Sequence, residues 1–219
     1  MGKKAVKIIF LFAFFLVLAF SVAFGLYVFR IYRDAKADLK NQSQKIQLSG
    51  PKYEINTKGD YWFGSNNPKV TIIEFSDFAC PNSKNSFSTI RELVIKYNKD
   101  VKLVFKDYPQ FDESLDLANG ARCAGEQGLF WLMHDKLFLN QGINTAAGIL
   151  EAAREIGADT GRFQTCFDSL KYQELIKNDA QEGQRISLSG TPTWIINGYM
   201  VYGDIPLPIW EKLINQMIE

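Results

Sequence analysis

The sequence predicts an α/β domain with an inserted helical subdomain, preceded by one N-terminal transmembrane helix, and three observations carry that reading. Residues 8–29, IIFLFAFFLVLAFSVAFGLYVF, form an uncharged apolar run of 22. The runs Lys69-Val-Thr-Ile-Ile-Glu-Phe75 and Val101-Lys-Leu-Val-Phe105 flank a stretch of helical period. A further β-branched run, Thr193-Trp-Ile-Ile-Asn197, returns only after a long helical stretch, which is too much chain for a single crossover element.

With 47% hydrophobic and 14% aromatic residues among 219, the chain can bury one core of ordinary size. Setting aside Lys3, Lys4 and Lys7 lowers the 25 basic residues to 22 against 24 acidic. That balance gives no electrostatic footprint for a nucleic-acid partner.

As a helix rising about 1.5 Å per residue, the first run spans roughly 33 Å, enough to cross a bilayer. A cleaved signal peptide is the alternative, since Ser21 and Ala23 form a small-x-small pair. Gly25-Leu-Tyr-Val-Phe29 continues the apolar run where a cleaved peptide should turn polar, so an anchor is expected. Arg30, Arg33, Lys36 and Lys40 offset the three lysines before the run, and the positive-inside count decides nothing. A leader over residues 1–7 fits a cytoplasmic start and a signal-anchor, with the carboxyl-terminal part outside the cytoplasm.

Residues 30–60 are polar with little periodicity and are expected to form a stalk, with a short strand around Tyr53 to Asn56 as an option. Asn41-Gln42-Ser43 matches a glycosylation sequon and carries no weight by itself.

The folded domain is expected over residues 61–219. The Lys69–Phe75 run reads as a buried central strand. Phe87, Ile90, Leu93, Val94 and Tyr97 then recur at helical spacing behind Pro81, a residue suited to a first turn. With the strand at Val101 this makes a strand-helix-strand unit, expected as a right-handed parallel crossover. From about residue 113 to 188 the pattern is helical, punctuated by Gly128, Gly142, Gly157 and Gly161 into four or five short helices. Thr193–Asn197 and Tyr199–Tyr202 around Gly198 read as a hairpin, and residues 206–218 as a closing amphipathic helix.

Cys80 falls between the first strand and the helix that Pro81 opens. Unpaired N–H groups and the helix dipole there favour a thiolate, so its position makes it a candidate nucleophile. An inert buried cysteine is the plain alternative. Gly190-Thr191-Pro192-Thr193 leads into the returning strand. A cis Thr191–Pro192 bond there would expose the Thr191 backbone for strand addition by an extended substrate, while an ordinary turn proline is the alternative.

Taken together, residues 60–218 resemble the DsbA-like thiol:disulfide oxidoreductases of thioredoxin fold, in the branch with membrane-anchored bacterial proteins. The resemblance is carried by Val70-Thr-Ile-Ile-Glu-Phe-Ser-Asp-Phe-Ala-Cys80-Pro81, by Phe130-Trp131 and His134-Asp135 in the helical insertion, and by Gly190-Thr-Pro-Thr-Trp-Ile-Ile-Asn-Gly198. It implies a thioredoxin fold with a helical insertion, Cys80 as attacking cysteine, Pro192 as cis proline, Glu74 as a buried acid and a place outside the cytoplasm. It also implies exported cysteine-containing proteins or peptides as partners, a membrane redox partner, and a Cys123–Cys166 disulfide. The rival pairing joins Cys80 to one of these two, and with three cysteines one stays unpaired within the chain.

The family's Cys-x-x-Cys appears here as Cys80-Pro81-Asn82-Ser83. Without a second sulfur the site can neither store a disulfide nor resolve a mixed one internally, although exchange with an external thiol survives. Ser83 can donate a hydrogen bond to a Cys80 thiolate, and the proton-moving role of Glu74 is put in doubt. Three readings follow: a monothiol exchange enzyme, a thioredoxin-fold binding or scaffold module that has lost turnover, or a dithiol enzyme altered at position 83 to trap intermediates. No cofactor is expected, and no metal, because His134 is the only histidine. His134, Phe130, Trp131 and Phe138 are expected to be packing residues.

Overall fold

The computed structural model describes residues 16–18, 20–34 and 48–218, which fall into an N-terminal unit and a second unit beginning at residue 47. Among the described residues of the first unit, one helix, α1 (Leu16–Asp34), is 19 residues long and apolar enough to cross a membrane. Residues 8–15 of the apolar run lie outside the described residues. The helix continues beyond Phe29 to Asp34, whose carboxylate pairs with Arg33 at 3.2 Å.

The second unit has a thioredoxin-like fold built on a five-stranded sheet. Its strands are β1 (Trp62–Gly64), β2 (Val70–Ser76), β3 (Val101–Asp107), β4 (Thr193–Ile196) and β5 (Tyr199–Tyr202), in the order β1-β3-β2-β4-β5. β2 and β3 are parallel and every other neighbouring pair is antiparallel. The crossover between the parallel strands is α2 (Pro81–Lys96), which buries Phe87, Ile90, Leu93 and Val94 on one face. Successive strand residues point to opposite faces, and both faces of β2 and β3 are covered, hence their continuous apolar sequence. Ile73, Phe75, Val104 and Ile195 enter one cluster with Ile186 and Leu188, while Phe105 joins Phe78 and the helical block in another.

Between β3 and β4 lie α3 (Ser114–Gly125), α4 (Phe130–Leu139), α5 (Ala146–Glu155), α6 (Thr160–Asp168) and α7 (Gln173–Arg185). Side-chain caps start two of them: Thr145 accepts from Gly148 N and Asp159 from Arg162 N. A disulfide joins Cys123 of α3 to Cys166 of α6, with 5.7 Å between their Cα atoms. Closing a loop of 43 residues contributes about 4 kcal/mol on the chain-entropy account. The last described element is α8 (Leu207–Ile218), whose Trp210 packs edge-on against Trp194 of β4 at 5.2 Å.

Two parts of this unit depart from the sequence expectation. Strand β1 was not anticipated. It pairs with β3 through only three residues, and Gly64 there adopts φ +104 at a place where any Cβ would run into the Val101 carbonyl oxygen. The end of the expected stalk is also folded domain. Lys52 bridges Tyr199, and Tyr53 N donates to Gly198 O at 2.8 Å. Tyr53 and Ile55 pack on the Ile73 cluster, and Asn56 N donates to Glu182 Oε1 at 3.0 Å. Backbone bonds and a charged acceptor hold this segment as much as its two apolar contacts do, and composition does not separate that from a linker.

The charge is concentrated in a buried ionic joint. Lys106 reaches Asp60 at 2.7 Å, Asp179 at 2.8 Å and Glu182 at 3.3 Å, while Arg122 binds Asp107 and Asp179. It ties β3 to α3, α7 and the segment before β1. Burial raises the Asp60, Asp107 and Asp179 carboxyls above the usual range despite the two cations. A second tie joins β1, α2 and α4. The Arg91 guanidinium lies 4.1 Å from the Phe63 ring and 4.9 Å from Trp131, and pairs with Asp135 at 3.3 Å.

Candidate functional site

Strand β2 delivers the chain into a tight turn that ends at Cys80, the N-cap of α2, with Pro81 opening the helix. A proline at that position loses no hydrogen bond, since the first N–H groups of a helix have no intrahelical partner. Asp77 holds the turn: Oδ1 accepts from Ala79 N at 2.9 Å, and Oδ2 accepts from Gln110 N at 2.7 Å and Ser114 Oγ at 2.8 Å. Burial raises its carboxyl, against the pull of those three bonds. From the other side Gln141, between α4 and α5, donates through Nε2 to Phe78 O at 3.0 Å and Cys80 O at 2.8 Å.

The opposite wall is the loop entering β4. Its Thr191–Pro192 peptide bond is cis. The Cys80 thiol donates to Thr191 O across 3.3 Å, and the Thr191 hydroxyl donates to Gln110 Oε1 at 3.1 Å. The structure thus brings Cys80 and the Thr191–Pro192 step together. Cys80 is the one free cysteine and keeps 6% of its surface exposed.

Ser83 lies one turn into α2, fully buried, and its hydroxyl has no partner among the described residues. The hydrogen bond from Ser83 to Cys80 is not made here: Ser83 Oγ is unpartnered, and Cys80 Sγ is directed at the Thr191 carbonyl instead. Glu74 is fully buried on β2, in register between Phe105 of β3 and Trp194 of β4. Neither of its oxygens is hydrogen-bonded among the described residues. Burial pushes its pKa up to about 8, with Ser76 and Arg91 opposing the shift only in part. His134 stands apart from the sulfur. It is buried among the rings of Phe78, Phe105 and Phe138, with Nδ1 at 2.8 Å from Asp135 Oδ1, and burial lowers its pKa. No group of His, Cys, Asp and Glu able to hold a metal occurs among the described residues.

Gln141 and Gln110 escaped the sequence reading. Both lie between regular elements, and nothing in the local pattern marks a side chain that bonds to a backbone 61 or a hydroxyl 81 residues away. Asp77, directly after a strand and three residues before a helix cap, carried a usable turn signal.

A family model described as thioredoxin matches residues 56–216. The chain belongs to the thioredoxin family. Among solved structures, this thioredoxin-family chain is similar to a thioredoxin-like oxidoreductase from Silicibacter pomeroyi DSS-3, at 25% identity and TM-score 0.67 over 73% of this chain and 92% of that one. It shares its fold with the thiol-disulfide exchange protein alpha-DsbA2 of Wolbachia pipientis, at 22% identity and TM-score 0.68 over 73% and 88%. BdbD of Bacillus subtilis stands at 22% and 0.66 over 78% and 97%. These neighbours accord with the DsbA-like resemblance. A curated relative, Na(+)/H(+) antiporter NhaA 3 of Salinispora tropica, is 31% identical over 174 residues, 78% of this chain and 26% of that protein. The chain therefore spans about a quarter of the length of the curated relatives it matches.

Proposed function

We propose that this chain is a membrane-tethered thiol-disulfide exchange protein of the extracytoplasmic side, working through the single sulfur of Cys80. The observation that carries the reading is the placement of a lone free thiol at the start of α2, 3.3 Å from the Thr191 carbonyl in the cis-proline loop. An exported protein or peptide laid along that loop presents its disulfide to the Cys80 thiolate. Cys80 Sγ bonds to one substrate sulfur, the substrate S–S bond breaks, and the other sulfur leaves as a thiolate. Ser83 has no sulfur with which to displace the substrate again. Release therefore falls to an external thiol, either a small molecule, a second cysteine of the substrate or a membrane redox partner, which attacks the mixed disulfide and returns Cys80.

Glu74, protonated near neutral pH, places no negative charge on the strand that leads into the Cys80 turn. In this reading it serves as a neutral acid rather than a base. Helix α1 supports the tether, and the sodium/proton antiport named for the longer relatives is a property of those proteins.

The low exposure of Cys80 favours a second reading, a binding module that grips cysteine-bearing chains without turnover. One assay decides between them. The full chain in detergent is incubated with a disulfide-bearing peptide and a small thiol, beside Cys80→Ala. Faster exchange by the unaltered chain is expected, and equal rates would falsify the enzyme reading.

A further inference from the structure

The two halves of the Cys123–Cys166 disulfide differ in their surroundings. Cys123 keeps 1% of its surface and Cys166 keeps 5%. Cys166 also lines a surface cleft of about 390 Å³, with Glu126, Gly161, Arg162, Thr165, Ser169 and Lys171 as its other walls. Cys123 does not line this cleft. Both cysteines belong to the buried helical core, but only Cys166 also borders a space in which a small molecule can sit.

The charge of the cleft selects what can sit there. The Glu126 carboxylate is engaged by Lys171 at 2.5 Å and by the Tyr172 hydroxyl at 2.9 Å. Those bonds hold its pKa below the usual range, and it stays ionised and paired. The carboxylate lies 3.7 Å from Cys166 Sγ, where it would repel an incoming thiolate if Lys171 did not balance it. The lining carries two cations, Lys171 and Arg162, against the single carboxylate of Glu126, whose pKa both lower; Arg162 makes no ion pair among the described residues.

We propose that Cys123–Cys166 is a second thiol-disulfide exchange site, separate from Cys80, entered at Cys166 and selective for anionic low-molecular-weight thiols. The incoming thiolate bonds to Cys166 Sγ, the protein S–S bond breaks, and Cys123 Sγ leaves with the electron pair and takes a proton from water. The new Cys123 thiol lies 4.0 Å from Asn119 Oδ1, a weak acceptor for its proton. A second molecule of the thiol then attacks the mixed disulfide and frees Cys166. Two thiols are oxidised to one disulfide, and the protein bridge is reduced to two thiols.

The test uses the full chain carrying Cys80→Ala, so the proposal stands or falls apart from the reading of Cys80. Reduced glutathione, which is anionic, and cysteamine, which is cationic, are compared at low ionic strength, and the adduct is located by peptide mass. Adduct on Cys166 alone is expected. Glutathione should lead cysteamine by about tenfold once the same ratio for the urea-unfolded chain is divided out, and Arg162→Ala should collapse that lead. In Cys80→Ala with Cys123→Ser, the free Cys166 should react with oxidised glutathione faster than with cystamine by a similar ratio. Adduct on Cys123, no reaction of the folded bridge, or no charge preference each overturns the proposal.

Discussion

Replacing Glu74 with glutamine should flatten the dependence of stability on pH across the neutral range. The side chain is wholly buried with neither oxygen bonded among the described residues, and its pKa stands near 8 against an ordinary 4.5. Because the folded pKa lies above the unfolded one, the folded state keeps a proton that the unfolded chain releases. The contribution to stability is therefore fully present below about pH 4.5 and is lost as pH rises through about 8. Each pH unit between the two values is worth about 1.4 kcal/mol, and because both ends of the interval lie near a pKa, moving from about pH 5 to about pH 8 removes about 3.5 kcal/mol. The amide of Glu74→Gln does not titrate, and its own burial cost is the same at every pH. Chemical unfolding of the full chain and the variant in a non-ionic detergent, at three pH values across that window, gives the difference in stability directly. The advantage of the wild type over the variant should shrink by about 3.5 kcal/mol from the acid end to the alkaline end. A constant difference would refute the reasoning, because it would mean that Glu74 ionises in the folded protein as easily as in water.

Two further substitutions test the frame of the site. Gly64→Ala should lower stability by about 2 kcal/mol or more, since a Cβ there meets the Val101 carbonyl and φ +104 strains any side chain; an unchanged unfolding midpoint would contradict the edge pairing of β1. Asp179→Ala should cost about 3–5 kcal/mol, because it leaves Lys106 and Arg122 buried and short of a shared carboxylate; a loss below about 1 kcal/mol in the same unfolding assay would show that the joint is solvated.

What the sequence made legible was whatever local periodicity or chain order encodes. β2, β3 and β4 announce themselves because their faces are covered on both sides and β-branched residues fill them, and α2 through its three-and-four spacing behind Pro81. Cys80 and the Thr191–Pro192 step were readable from their places at the ends of such elements. β1 was not, because three residues containing a glycine carry no alternation. The Lys106–Arg122 joint was not either: its bonds join residues 15, 57 and 73 positions apart. A buried lysine on a strand reads like an exposed one until its partners are placed. Gln110 and Gln141 belong to the same class, since their roles come from distant loops brought together by folding.

The ionic joint also fixes where a shortened form of the second unit can begin. Cutting the chain at Tyr61 would discard Asp60 and leave the Lys106 ammonium, only 5% exposed, with a lost counter-ion in the middle of the molecule. It would discard as well the Lys52–Asn56 stretch that borders β5 and the start of the ladder at Tyr199. A truncation that leaves out helix α1 should therefore start upstream of Lys52, well before the first strand.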